Sequence, residues 1–221
     1  MSRPTAASDD VARPRVSARG GNLVAAVSFV IGGSLFAVGA VLAQLDVTSL
    51  VAVNVTYLVG GFFFSLGGYV SILLARPLRL EWRSAVILFV GTLLFAVSLV
   101  AAFAAGLTPR QSNGWIWLPD ISGCICFLVS GHLAMVAVGG GRVRVRPDVV
   151  GWWVVAVNQL GSVLFFLAGL AAFTRPTTSQ AVDAGLVNWG TFTGAVCFAA
   201  GGLIQAFDTP ATTPENGGPS T

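Results

Sequence analysis

The chain of 221 residues has no Lys, a single His and only 10% charged residues. A soluble domain of ordinary composition carries about 25%, so these few charges cannot clothe a soluble surface. All twelve basic residues are Arg. They lie between apolar runs, without the basic stripe and aromatic platforms that a nucleic-acid face needs, which excludes nucleic acid as a partner. The missing Lys, beside abundant Ala, Gly and Val, reads as coding bias. One His makes most metal-site spacings impossible. The three Cys, Cys124, Cys126 and Cys197, all fall inside apolar runs, and no CxxC occurs. They read as small apolar fillers and fix no redox compartment. A thiol pair or metal site built on Cys124-Ile125-Cys126 is the sharper alternative. No Ser/His/Asp set, paired carboxylate or phosphate-cradling loop is present. The chain is therefore read as a non-enzyme with no cofactor and no metal.

What the chain has in plenty is apolar length. Hydrophobic residues make up 55% of it, and the mean hydropathy is +0.81. Apolar runs occur at about 22–44, 50–75, 83–106, 117–139, 151–174 and 185–207. A helix needs about 20 apolar residues to cross the hydrocarbon core, and only helices or closed barrels satisfy their backbone there. The expected fold is an all-α membrane protein with six transmembrane helices. Ten Arg (Arg3, Arg13, Arg15, Arg19, Arg76, Arg79, Arg83, Arg142, Arg144, Arg146) alternate in position with two (Arg110, Arg175). The positive-inside rule then places both termini in the cytoplasm, with the protein in the plasma membrane. Trp115, Trp117, Trp152 and Trp153 sit at span ends, as in an aromatic belt. Residues 1–19 and the following "VLA" also resemble a signal peptide. The run between them exceeds the usual h-region of about 7–15 residues, so the first span is read as retained.

Each span carries Gly-x-x-x-Phe-x-x-small once: Gly32/Phe36/Gly39, Gly60/Phe64/Gly67, Gly91/Phe95/Ser98, Gly123/Phe127/Ser130, Gly161/Phe165/Ala168 and Gly194/Phe198/Gly201. A seventh pair, Gly169/Phe173, lacks the trailing small residue. Positions i, i+4 and i+7 share one helical stripe. Small residues let membrane helices approach closely. Each Phe is therefore expected to fill the notch left by small residues on a neighbouring helix, with a ligand-lining face as the alternative. Even spans add a second Gly (Gly67-Gly68, Ser130-Gly131, Gly201-Gly202), and odd spans share Gly-[Gly/Thr/Ser]-x-x-Phe. The expected organisation is three antiparallel two-helix hairpin repeats at 22–80, 81–147 and 148–207. A disordered basic tail at 1–21 and a disordered tail at 208–221 flank them.

The first unit carries Gly32 to Gly39, Phe64 to Gly67, and Arg76-Pro77 with Arg79. On these residues, segment 22–80 resembles the YrhK-like domain family, a small two-helix membrane unit. The later units match more loosely, and the whole chain is similar to larger actinobacterial membrane proteins that carry this domain. That family has no established activity, so the resemblance implies no substrate and no catalytic residue.

Ionisable residues inside a membrane are functional candidates. Asp120, after Pro119, opens the fourth span and reads as an interfacial helix cap, or alternatively as a cation or proton site. His132 lies about 18 Å further along the helix, at about 1.5 Å per residue, and reads as a buried, hydrogen-bonded side chain. Asn54, Tyr57, Asn158, Gln159 and Asn188 are expected to hydrogen-bond across helices. Asp120, His132 and Asn158 are the candidate intramembrane polar site. A structural or interaction role is favoured, with membrane lipids and a membrane-protein partner or a second copy as partners. A small-solute or ion transporter or channel is the alternative.

Overall fold

The computed structural model describes residues 18–208. The tail readings for 1–17 and 209–221, Arg3, Arg13 and Arg15 included, lie outside the described residues. Helices α1 (Ala18–Leu45), α2 (Leu50–Leu74), α3 (Leu80–Ala101), α4 (Pro109–Val138), α5 (Val150–Ala171) and α6 (Ala184–Phe207) are each long and apolar enough to cross a membrane. Short connectors make neighbours antiparallel, and the described residues contain no named strand. The helices close into a ring, each packing on the next and α6 returning to α1. The exterior is Leu, Val and Phe, with Phe62, Leu73 and Leu203 all exposed. The interior is Gly, Ala, Ser and Phe. This inverted distribution suits a lipid solvent, where close packing rather than apolar burial holds helices together.

Local chemistry sets the helix ends. Ser49, Thr108 and Asp183 are side-chain N-caps, accepting from the backbone N–H of Ala52, Gln111 and Leu186. The Arg76-Pro77 pair stops α2, because the residue before proline is driven out of the helical region. α4 ends in a Schellman turn. Gly140 takes φ +71°, its N–H bonds Ala137, and the Gly141 N–H bonds Val136 at 2.9 Å.

Two expectations are corrected here. Residues 18–21, assigned to a disordered tail, belong to α1. Their end of the ring is tied down, since Asn22 and Gln205 exchange hydrogen bonds with Asn22 Nδ2 reaching the Gln205 carbonyl at 3.1 Å. Asp120 does stand in the first turn of a regular α-helix, Leu118–Val138 with Pro119 at its start, but it does not open the span. α4 starts eleven residues earlier, at Pro109, behind the Thr108 cap, and passes Pro119 through a π turn at Asn113–Trp117. Pro119 has no N–H and its ring crowds the carbonyl one turn back. The wider turn relieves that crowding without ending the helix. Asp120 is thus carried into the bundle.

Within each hairpin the motif residues meet reciprocally. A Cβ placed on Gly60 would lie 2.7 Å from the Phe36 ring, and one on Gly32 3.0 Å from Phe64. The same holds for Gly123 with Phe95 (2.7 Å) and Gly91 with Phe127 (2.8 Å). It holds again for Gly194 with Phe165 (2.7 Å) and Gly161 with Phe198 (3.1 Å). The doubled small residues divide the labour between interfaces. Gly67, Ser130 and Gly201 face the partner in their own hairpin, at Phe29, Ser84 and Asn158. Gly68, Gly131 and Gly202 face the next hairpin, at Phe89, Gln159 and Ala26.

Candidate functional site

The six motif phenylalanines converge at mid-height. Phe36, Phe95 and Phe165 form one layer, with ring centroids 6.1 and 6.2 Å apart about Phe165. Phe64, Phe127 and Phe198 form a second layer, at 5.4 to 6.5 Å. The layers touch within each hairpin: Phe36–Phe64 at 5.4 Å, Phe95–Phe127 at 5.1 Å and Phe165–Phe198 at 5.3 Å. All six rings are buried. They form a two-layer plug across the ring of helices, with tilted and edge-on contacts and one stacked pair, Phe165–Phe198, all of the kind aromatic pairs prefer.

A cavity lies on each side of the plug. The one at the end bearing connectors 46–49, 102–108 and 172–183, the outer end in the orientation expected from sequence, has a volume of about 310 Å³. Its floor is the upper phenylalanine layer. Tyr57, Asp120 and Thr191 reach it from equivalent places, each three residues before the motif Gly of an even helix. Asp120 is its one charged lining residue among the described residues. The inner one, of about 700 Å³, lies at the end of the described termini and is lined by Arg76, Arg79, Glu81, Asp208, Asn22 and Asn158 among others.

The polar groups around the outer cavity are mostly committed. Asn54 Nδ2 donates to the Ala102 carbonyl at 2.9 Å, Trp117 Nε1 to that of Gly169 at 2.8 Å, and Asn188 Nδ2 to Gln44 Oε1 at 3.1 Å. These three donors stand six residues before the motif Gly of α2, α4 and α6, and each reaches the next odd helix round the ring. They latch hairpin to hairpin. Ser112 pairs with Thr174, and Asn113 exchanges hydrogen bonds with the Thr174 backbone. Cys124 leans on the Phe165 carbonyl at 3.3 Å. Asp120 has no such tie. It packs against Gly169 and Cys124 and turns its accessible surface to the cavity. The one ion pair among the described residues, Arg146–Asp148 at 3.2 Å, is an exposed loop contact at the other end. There the Arg146 hydrogen bonds hold the Asp148 carboxyl below the usual carboxylate range.

The structure separates the candidate polar site foreseen from sequence. Asp120 lines the outer cavity and Asn158 the inner one. His132 is exposed on the outside of α4 and enters neither. Its neighbour Gly131 faces the next helix, and one step along the chain turns the imidazole away from the seam. Gln159 bonds the Leu128 carbonyl at 3.4 Å through Nε2. Asn158 Oδ1 and Gln159 Oε1 are buried without a hydrogen-bond partner. They lie instead against the Cα of Gly201 and Gly131, where any Cβ would collide with them. Weak Cα–H···O contacts of this type recur at helix–helix interfaces. Cys126 and Cys197 pack beside Gly91 and Gly161, and Cys124 and Cys126 point different ways.

Sequence reasoning missed the Trp117 latch, because a Trp at a span end reads as an interfacial anchor. The recurrence of position with Asn54 and Asn188 was the available signal. No family model matches the chain, and neither does a curated protein or a solved structure.

Proposed function

We propose that this chain is a plasma-membrane carrier for a small solute, built of three related hairpins with both termini cytoplasmic. One observation carries this reading: two cavities open towards opposite ends of a closed helix ring, with a packed waist that contains the two-layer phenylalanine plug between them. Carriers of many folds hold a site near mid-membrane behind a thin barrier at the interface of related units. A structural or interaction role needs neither cavity, and it leaves unexplained a carboxylate set in an apolar interior at considerable desolvation cost. The recurrence of motif, plug and latch positions in all three hairpins supports duplication. The Arg excess at the inner end supports the orientation. The YrhK-like likeness of 22–80 is kept as part of this proposal and adds no substrate.

The test is permeability in proteoliposomes. Phe36→Ala and Phe165→Ala remove rings from the upper plug layer, and each is expected to raise potassium leak at least tenfold over the parent protein. Unchanged leak, with both variants folded by circular dichroism, would mean that the plug is no barrier. The structural role would then lead, and native mass spectrometry with retained lipid would be the route to a protein partner.

A further inference from the structure

We propose that the outer cavity binds a small organic cation, an amine or quaternary ammonium with an apolar body, whose charge is met by Asp120 over the rings of Phe36, Phe95 and Phe165. The proposal rests on the reading of this cavity as a ligand site and adds the ligand's chemistry.

Charge comes first. Among the described residues Asp120 is the one charged residue lining the cavity, and no Arg lines it. Arg110 and Arg175, the basic residues at this end, are exposed, and Arg175 is turned to the Val182 carbonyl at 2.9 Å. No basic side chain among the described residues lines the cavity to pair with the carboxylate. A single anion in an apolar enclosure selects against anionic ligands and strengthens its hold on a cation.

The lining argues next. A metal ion asks for a shell of about six oxygens, mostly carboxylates and carbonyls, and among the described residues this cavity offers the single carboxylate of Asp120 with no second acidic side chain beside it. The cavity that the carboxylate lines has aromatic walls: the plug's upper layer, with Tyr57 packed on Phe36 at 5.2 Å. Ring faces attract cations within about 6 Å, and quaternary ammonium ions are the type most often held by such cages. The volume of about 310 Å³ falls in the range of small-molecule sites. The position itself is the third argument. Of the three equivalent places Tyr57, Asp120 and Thr191, only one carries charge. A packing role would be served by an uncharged residue, as it is in the other two hairpins.

The experiment measures binding of radiolabelled benzyltrimethylammonium to the full chain in lipid nanodiscs. Saturable binding is expected, weakened at least tenfold by Asp120→Asn, retained by Asp120→Glu, and displaced by other quaternary ammonium ions but not by benzenesulfonate. Absence of saturable binding overturns the proposal, and so does Asp120→Asn binding as tightly as the parent. If Asp120→Asn lowers the thermal midpoint, the displacement pattern on the parent protein decides: equal displacement by benzenesulfonate overturns the assignment. Flux of the same probe into proteoliposomes separates the two readings. Binding without flux keeps the cation site and sinks the carrier. Flux of an uncharged solute without cation binding keeps the carrier and sinks the cation site.

Discussion

Gly60, Gly123 and Gly194 each lie under a phenylalanine ring, so close that a methyl group would stand 2.7 Å from its carbon. No L side chain fits there unless the ring moves, and the ring is clamped by the rest of the plug. Gly60→Ala is expected to destabilise the protein by about 1–3 kcal/mol through overpacking. Adding Phe36→Leu to Gly60→Ala should recover part of that loss. A double-mutant cycle of unfolding in bicelles checks this, and additive losses would show that the contact is not the cause. Gly201 carries a different burden, since its missing side chain leaves room for the Asn158 carbonyl oxygen. The stripe of Gly, Phe and small residue was legible from spacing alone. The partner of each glycine was not, because a helical stripe says which face is notched and nothing about which neighbour fills it.

At the scale of the element, α4 departs furthest from its sequence reading. Pro119-Asp120 carries every local sign of a helix start. A regular α-helix does begin there, at Leu118, but the span starts further back at Thr108, whose side chain accepts from the Gln111 N–H while Gln111 Oε1 accepts from the Thr108 backbone N–H at 3.0 Å. Thr108→Ala is expected to cost about 1 kcal/mol and to speed hydrogen exchange at 110–112 while leaving 120–138 protected. Equal exchange across both segments would contradict a separate, capped first turn. Trp117→Phe keeps the ring and removes the N–H that meets the Gly169 carbonyl. A loss of about 0.6–1.7 kcal/mol is expected, in the range of single interhelical hydrogen bonds in membranes, and it should appear in the same unfolding assay. Asn54 and Asn188 were legible as cross-helix donors, because buried amides in lipid need partners. Their cyclic order was not, because it depends on how the ring closes.

For the whole molecule, the alternation of Arg with helix count predicts one inner and one outer end. On a cysteine-free background, a Cys at Val47 should react with an impermeant maleimide added outside intact cells, and one at Leu78 only after permeabilisation. The reverse pattern would invert the assignment of the two cavities. The ring also explains why a chain with so little charge keeps one carboxylate inside it. Only after α4 has been carried past Pro119 and the three hairpins have closed does Asp120 meet a cavity floored by aromatic rings.

Six apolar helices, their approximate limits and the notched stripe on each were determined by the sequence, because hydrophobic length and the i, i+4, i+7 spacing are local properties of one helix. Which small residue faces its own hairpin and which the next was decided only by the fold, and so were the plug, the two cavities and the separation of Asp120 from His132 and Asn158. These depend on contacts between residues far apart in the chain. In a membrane such contacts are set by shape complementarity between faces, and no single face carries the shape of its partner.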